Sequence, residues 1–376
     1  MLSQEKKFPH ARIALVTNNA ATTSDAESVR SALLIKGFTI TKLFSPEHGL
    51  TAMGEDGAYQ TNRVDPLTQL PVISLYGDHL MPTAADMDDV DLLLFDIPDV
   101  GCRFYTYLWT MSYVMEACAV YHKPLVILDR PNPISGNIEK AEGPMLDEIH
   151  GSSFIGRWSI PVRHSCTLGE LAAYFLATRK MDMDLTVIPL SGWNRNGSAA
   201  ANEYPFTPTS PAIATLKTAF CYPGTGLLEG IHVNEGRGTV HPFTVFGAPW
   251  INAALLQENM QQLHLPGILF SEIQYTPSAS LYAGECCNGL LLSITDEHLF
   301  LPVQTGITII QQLLSLFPEY CYERLYKTVA NPSGEKHLDK LLGVVDSFQT
   351  LKTGTKISTE LHQAWEQQIS PFLLYH

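Results

Sequence analysis

The residues able to do chemistry stand just past the ends of short apolar runs. Glu47 and His48 fall in SPEHG (45–49); Asp96, Asp99, Arg103 and Tyr105 in DIPDVGCRFY (96–105); Asp129, Arg130 and Asn132 in DRPNP (129–133). Asn18 follows the first apolar run, and Tyr76-Gly77 ends another. Carboxylates of this kind serve as general acids and bases, arginines and asparagines read hydroxyls and carboxylates, and aromatic rings give a sugar an apolar platform. The mixture suits a small-molecule carbohydrate, particularly one with its own negative charge. The loop after the first run has no G-x-G-x-x-G, and neither G-x-x-x-x-G-K-[ST] nor G-x-S-x-G occurs, so dinucleotide, ATP and nucleophilic-serine readings lack their signatures. His48 and His164 have no metal-ligand spacing, so neither a metal nor another cofactor is expected.

The elements that must position these groups alternate between strand and helix. Strands are predicted at Arg12–Thr17, Phe38–Phe44, Pro71–Tyr76, Asp91–Ile97, Leu125–Asp129 and Leu185–Leu190. Asp91–Ile97 is almost uninterruptedly apolar, as a strand covered on both faces must be. Ser24–Glu27 and Thr167–Glu170 have the spacing of capping boxes that open helices, Gly37 stands where the first of those helices should end, and a further helix is predicted from Tyr105 to Tyr121. The pattern is an α/β chain with a doubly wound parallel sheet. In such sheets ligands bind outside the carboxyl ends of the strands, so five successive strand ends should converge on one site. A Gly/Asn/Ser/Pro-rich stretch from Asn194 to Pro223 separates this part, residues 1–218, from a smaller α+β part, residues 219–376. There a strand at Leu290–Ile294 and helices at Thr305–Leu316 and Thr359–Gln368 are expected.

Composition sets the outer bounds. With 376 residues, 45% hydrophobic and 16% charged, the chain is long enough for two domains and well supplied for burial. Its 24 Lys+Arg against 38 Asp+Glu leave a net charge of −14, which disfavours a nucleic-acid partner. No apolar run reaches the roughly 18 residues needed to span a bilayer, and no secretion signal precedes Ile13, which predicts a cytoplasmic enzyme, or a periplasmic one if a leader has been trimmed. Seven cysteines, an odd number with no C-x-x-C, read as buried free thiols in a reducing compartment.

Seven segments in order, SPEHGL, FDIPDVGCRFYTY, LDRPNP, IPVRHSCTLGELA, GWNR, NEGRGT and PFTVFGAPWI, resemble the NamZ-type exo-β-N-acetylmuramidases, a family of peptidoglycan hydrolases formerly catalogued as a domain of unknown function. The resemblance runs from about Val16 to Ile251, with a weaker trace to Tyr375. It implies a Rossmann-like N-terminal domain, a smaller C-terminal domain, an active site in the cleft between them, and release of N-acetylmuramic acid from non-reducing ends of cell-wall fragments. The family's catalytic glutamate falls on Glu47. The other motif positions carry over as His48, Asp96, Asp99, Arg103, Tyr105, Asp129, Arg130, Asn132, His164, Glu235 and Arg237. The chain departs from the family at Pro98, at Ser165 and at Thr209–Ala212.

On this reading Glu47 is the general acid, and a carboxylate such as Asp96 or Glu235, or the substrate's own acetamido group, supplies the second catalytic role. Asn18, His48, Arg103, Tyr105, Arg130, Asn132, His164 and Arg237 are the expected substrate-binding residues, with Arg103 or Arg130 gripping the lactyl carboxylate. The plainer alternative is that both arginines pair with Asp96 and Asp99 and that Asp99 holds its own loop. The competing functions are a non-catalytic binder of muropeptides or acidic sugars, and an amidase or deacetylase acting on the same amino sugar.

Overall fold

The computed structural model describes residues 10–197, 205–329, 331–360 and 363–375. The first nine residues, the middle of the polar loop (198–204) and positions 361–362 of the expected final helix lie outside the described residues.

The N-terminal part runs β1 (Arg12–Thr17), α1 (Val29–Ile35), β2 (Thr39–Ser45), β3 (Arg63–Val64), β4 (Pro71–Ser74), α2 (Ala84–Met87), β5 (Leu92–Asp96), α3 (Tyr107–Tyr121), β6 (Leu125–Leu128), α4 (Glu148–Gly151), α5 (Leu168–Thr178) and β7 (Leu185–Ile188). The strands form one seven-stranded sheet in the order β3-β4-β2-β1-β5-β6-β7. Every pairing is parallel except β3 with β4, an antiparallel edge hairpin that the sequence pattern does not reveal in so short a strand. Along β1 the side chains alternate: Ile13 and Leu15 join a cluster with Val29 and Leu33 of α1, whereas Ala14 and Val16 join the larger core that includes Trp109 and Met111 of α3. That period of two, with helices on both faces, is the doubly wound arrangement.

One of the two expected capping boxes exists. Thr167 and Glu170 bond reciprocally at the start of α5. At Ser24–Glu27 the chain makes a turn instead: the Thr23 N–H bonds the Glu27 carbonyl and Thr22 pairs with Ser28, which commits the backbone groups a helix would need, so α1 starts only at Val29.

The C-terminal part comprises α6 (Leu216–Thr225), β8 (Val245–Ala248), α7 (Ala253–Gln262), β9 (Ile268–Tyr275), β10 (Cys287–Ile294), α8 (Pro302–Leu316), α9 (His337–Leu342), α10 (Ser347–Lys352) and α11 (Gln363–Ile369). Its antiparallel sheet has the order β8-β10-β9. Helices α6 and α8 touch at Gly224 and Gly306: a Cβ on either would come within 2.2 Å of opposing backbone. Only glycine permits that approach. The main core runs continuously from α3 through α6 to α8. Of the seven free cysteines six are buried and Cys286 is exposed, against the expectation that all are buried. No helix among the described residues is long and apolar enough to cross a membrane.

Candidate active site

The chain reverses its winding direction between β1 and β5, neighbours in the middle of the sheet. Two clefts open on the carboxyl edge around this point, so the strand ends do not feed a single site.

The first cleft, about 710 Å³ including its open mouth, is built from both parts of the chain. Glu47, His48 and Asp56 come from the connection after β2, Tyr76 from the end of β4, and Phe104, Tyr105 and Thr106 from the approach to α3. The facing wall holds Tyr222, Glu229, Arg237, Phe243, Tyr326 and Lys340. Seven aromatic residues lie along this lining, Phe154 being the seventh. Such rings supply the apolar faces on which a sugar packs.

Glu47 is buried and held from several sides. Its Oε1 accepts from the Gly57 N–H at 3.0 Å and its Oε2 from the Thr106 hydroxyl at 2.7 Å. Burial pushes the Tyr76 phenol far above its ordinary range, and the adjacent Glu47 carboxylate, which it also hydrogen-bonds, pushes it the same way. His48 sits in the left-handed region with φ +64°, its Nδ1 2.8 Å from the Gly54 carbonyl, which turns Nε2 toward the carboxylates. Asp56 was not singled out in the sequence. It accepts from the Tyr326 hydroxyl at 2.5 Å and pairs with Arg237 at 3.2 Å. Burial would raise its carboxyl pKa, but Arg237 and His48 outweigh this and hold it below the usual range.

Donor atoms of Glu47, His48 and Asp56 all lie within 4.8 Å of one another, and among the described residues this is the group of His, Cys, Asp and Glu able to hold a metal ion. Its lone pairs already face the Gly57 amide, the Thr106 and Tyr326 hydroxyls and the Arg237 guanidinium.

The remaining expected site residues are placed elsewhere. Glu235 is fully buried behind the wall, between Arg237 and Arg324 at 3.3 and 3.2 Å, so it braces the cleft without reaching it. Asp96 does not join Glu47. It is fully buried and grips Arg130 with both oxygens beside the second cleft. Arg103 is fully buried and donates to the Pro144, Ile160 and Leu341 carbonyls at 2.7–2.9 Å. Burial without a carboxylate partner pulls its pKa down to about 10. It fastens α9 to the loop after β5 and leaves no fork for a substrate.

Asn132 bonds the Cys166 carbonyl and the Ile134 N–H at 3.1 Å each. His164 is fully buried, its Nδ1 accepting from the Cys166 N–H and its Nε2 3.6 Å from Asp99. Asn18 is fully buried and accepts from the Ala20 N–H. Asp99 accepts from the Gly101 N–H at 2.8 Å, the loop-holding role expected of it. Of the expected residues, then, Glu47, His48, Tyr105 and Arg237 share one cleft.

The second cleft, about 1630 Å³, lies past β1, β5, β6 and β7. Asp129 borders it and accepts from the Tyr375 and Thr167 hydroxyls and the Gly169 N–H; burial nonetheless lifts its carboxyl to about 6. The Tyr107 hydroxyl bonds the Thr209 carbonyl at 2.6 Å, and the strip through Thr209 and Ser210 divides the two clefts.

A carboxyl-bearing, aromatic-walled cleft on the carboxyl edge of a doubly wound sheet offers a proton donor or acceptor beside apolar faces of the kind a sugar packs on. Comparison with known proteins narrows the class. The chain matches the family model for exo-β-N-acetylmuramidase NamZ, N-terminal, over residues 13–217, and its C-terminal counterpart over residues 220–375. It is 40% identical over 316 residues to the peptidoglycan β-N-acetylmuramidase NamZ of Bacillus subtilis (strain 168), covering 84% of this chain and 76% of that protein. Two crystal structures of DUF1343 family proteins from Bacteroides fragilis NCTC 9343 share its fold. One has a TM-score of 0.83 at 28% identity, covering 100% of this chain and 96% of the other; the second has 0.76 at 27%, covering 100% and 98%. The chain belongs to the NamZ exo-β-N-acetylmuramidase family.

Proposed function

We propose that this protein is a glycosidase that releases N-acetylmuramic acid from the non-reducing ends of peptidoglycan fragments, with Glu47 as the general acid. The observation that carries this is the Glu47 carboxylate on the wall of the aromatic cleft, bridged to Thr106 at 2.7 Å. A hydroxyl can donate to a carboxylate and accept from a carboxylic acid, so Thr106 serves both protonation states through a turnover. Protonation of the glycosidic oxygen by Glu47 lets the leaving sugar depart as an alcohol while charge develops on the muramic ring.

The second catalytic role goes to the ensemble beside Glu47. Asp56 and His48 are near enough to stabilise the oxocarbenium-like ring or to orient the 2-acetamido group. Residues 1–218 supply the acid, and residues 219–376 supply the opposite wall through Glu229, Arg237, Tyr326 and Lys340.

The test is to incubate the protein with two disaccharides of N-acetylmuramic acid and N-acetylglucosamine, one in each order, and to follow products by mass spectrometry. Cleavage of the disaccharide with a non-reducing N-acetylmuramic acid, and of that one alone, is the expected result. Cleavage of neither, or of the reverse order alone, would overturn the reading.

A further inference from the structure

N-Acetylmuramic acid differs from N-acetylglucosamine by a 3-O-lactyl ether whose carboxylate is ionised at neutral pH. The expected grips for that charge, Arg103 and Arg130, do not line the cleft that holds Glu47: the first donates to backbone carbonyls and the second to Asp96.

Among the described residues the cleft is lined by two permanent cations, Arg237 and Lys340. Arg237 is surrounded by Asp56, Glu229 and Glu235 at 3.2, 2.8 and 3.3 Å, so its charge is already answered. Lys340 is different. Its Nζ donates to the Asn331 side-chain oxygen at 2.7 Å and to the Glu335 backbone carbonyl at 3.0 Å, both neutral acceptors. It forms none of the ion pairs found among the described residues. An ammonium carries three donors, so one remains for the cleft. Burial lowers the Lys340 pKa and the charges of Glu335 and Asp339 oppose this, so a carboxylate brought to the free donor would favour the charged form. The group is also well placed: α9 is packed by His337 stacked on Tyr326 at 4.5 Å, and Asn331 is anchored by the Thr328 hydroxyl and the Tyr326 carbonyl.

We infer that Lys340, held by Asn331, is the residue that reads the lactyl carboxylate and so makes the cleft select a muramic over a glucosamine sugar. This rests on the muramidase reading above and adds the group that decides between the two sugars.

The test compares wild type, Lys340→Gln and Lys340→Arg on a chromogenic β-N-acetylmuraminide and on the same glycoside with its lactyl carboxyl converted to the neutral methylamide. A charge-assisted hydrogen bond lost from a partly buried site predicts a fall of about 10- to 100-fold in kcat/KM for Lys340→Gln on the acid. The fall is expected chiefly in KM, with little change on the methylamide and partial recovery in Lys340→Arg. Equal losses on both glycosides would overturn the inference, because a structural lesion cannot distinguish them. If wild type hydrolyses neither glycoside, the muramidase reading fails separately, and titration calorimetry with free N-acetylmuramic acid and N-acetylglucosamine decides this one. Preferential binding of the acid that is lost in Lys340→Gln supports it, and equal binding overturns it.

Discussion

The Thr106 hydroxyl donates to Glu47 Oε2 at 2.7 Å across 59 residues of sequence, joining the loop after β2 to the entry of α3. Thr106 occupies the N-cap position of α3 yet makes no capping bond, its hydroxyl being turned to Glu47 instead. An N-cap threonine that caps is worth about 0.5–2 kcal/mol to its helix. Here that stabilisation is forgone in favour of the carboxyl group.

Thr106→Val should therefore lower kcat by about 10- to 100-fold with a smaller change in KM, the range for loss of a hydrogen bond to a charged group. Thr106→Ser should keep most of the activity, and thermal melting should move little in either. Steady-state kinetics on a chromogenic muraminide checks this. A change confined to KM would place Thr106 in substrate binding alone.

The closeness of Glu47 to Asp56 bears on stereochemistry. Inverting glycosidases hold their two carboxyls roughly 6.5–9.5 Å apart to admit water, and retaining ones about 5–5.5 Å. Donor atoms of Glu47 and Asp56 lie within 4.8 Å. Proton NMR of the first-formed sugar should show the β anomer, the outcome of a double displacement, whether Asp56 attacks or assists the acetamido group. The α anomer would assign a single displacement.

Much of the fold was legible because its signals are local. Val16 and Leu93 lie on short, nearly uninterrupted apolar runs, and Thr167 and Glu170 stand at capping spacing before an apolar stretch. What failed was convergence. Asp96, Glu47 and Asp129 follow neighbouring or near-neighbouring strands, but the sheet winds both ways from β1, which leaves Glu47 in one cleft and Asp96 and Asp129 at the other. Arg103 reads as a substrate clamp because its type suits carboxylates. Its real partners are carbonyls up to 238 residues away, and no spacing encodes them. Asp56 carries no motif in the sequence, and only the return of Arg237 and Tyr326 gives it a role. Lys340 was invisible for the same reason, its meaning being the lack of a carboxylate partner in three dimensions.

Glu142 gives a pH signature. Its two oxygens accept from the Gln304 and Val303 N–H groups at 2.6 and 3.2 Å, capping α8 from far along the chain. Burial lifts its carboxyl to about 7, against those two bonds and nearby Arg163. The unfolded chain releases this proton near pH 4.3 and the folded one near 7, so the folded state binds the extra proton in between. The contribution is thus full below about pH 4 and lost as pH rises to 7. Glu142→Gln does not titrate. Urea unfolding at pH 5, 6 and 8 should show the stability of wild type relative to this variant falling by on the order of 2–3 kcal/mol as pH rises. A difference independent of pH would mean that Glu142 titrates as in an unfolded chain.

The central claim is that Glu47 delivers the proton to the glycosidic oxygen. Its most direct test compares wild type with Glu47→Gln on two β-N-acetylmuraminides, one with a poor leaving group that needs protonation and one with a nitrophenyl group that needs little. The account expects Glu47→Gln to lose about 10³-fold or more in kcat on the first and far less on the second, in line with the share that general acid catalysis contributes. Equal losses on both glycosides, or retained activity on the first, would contradict it.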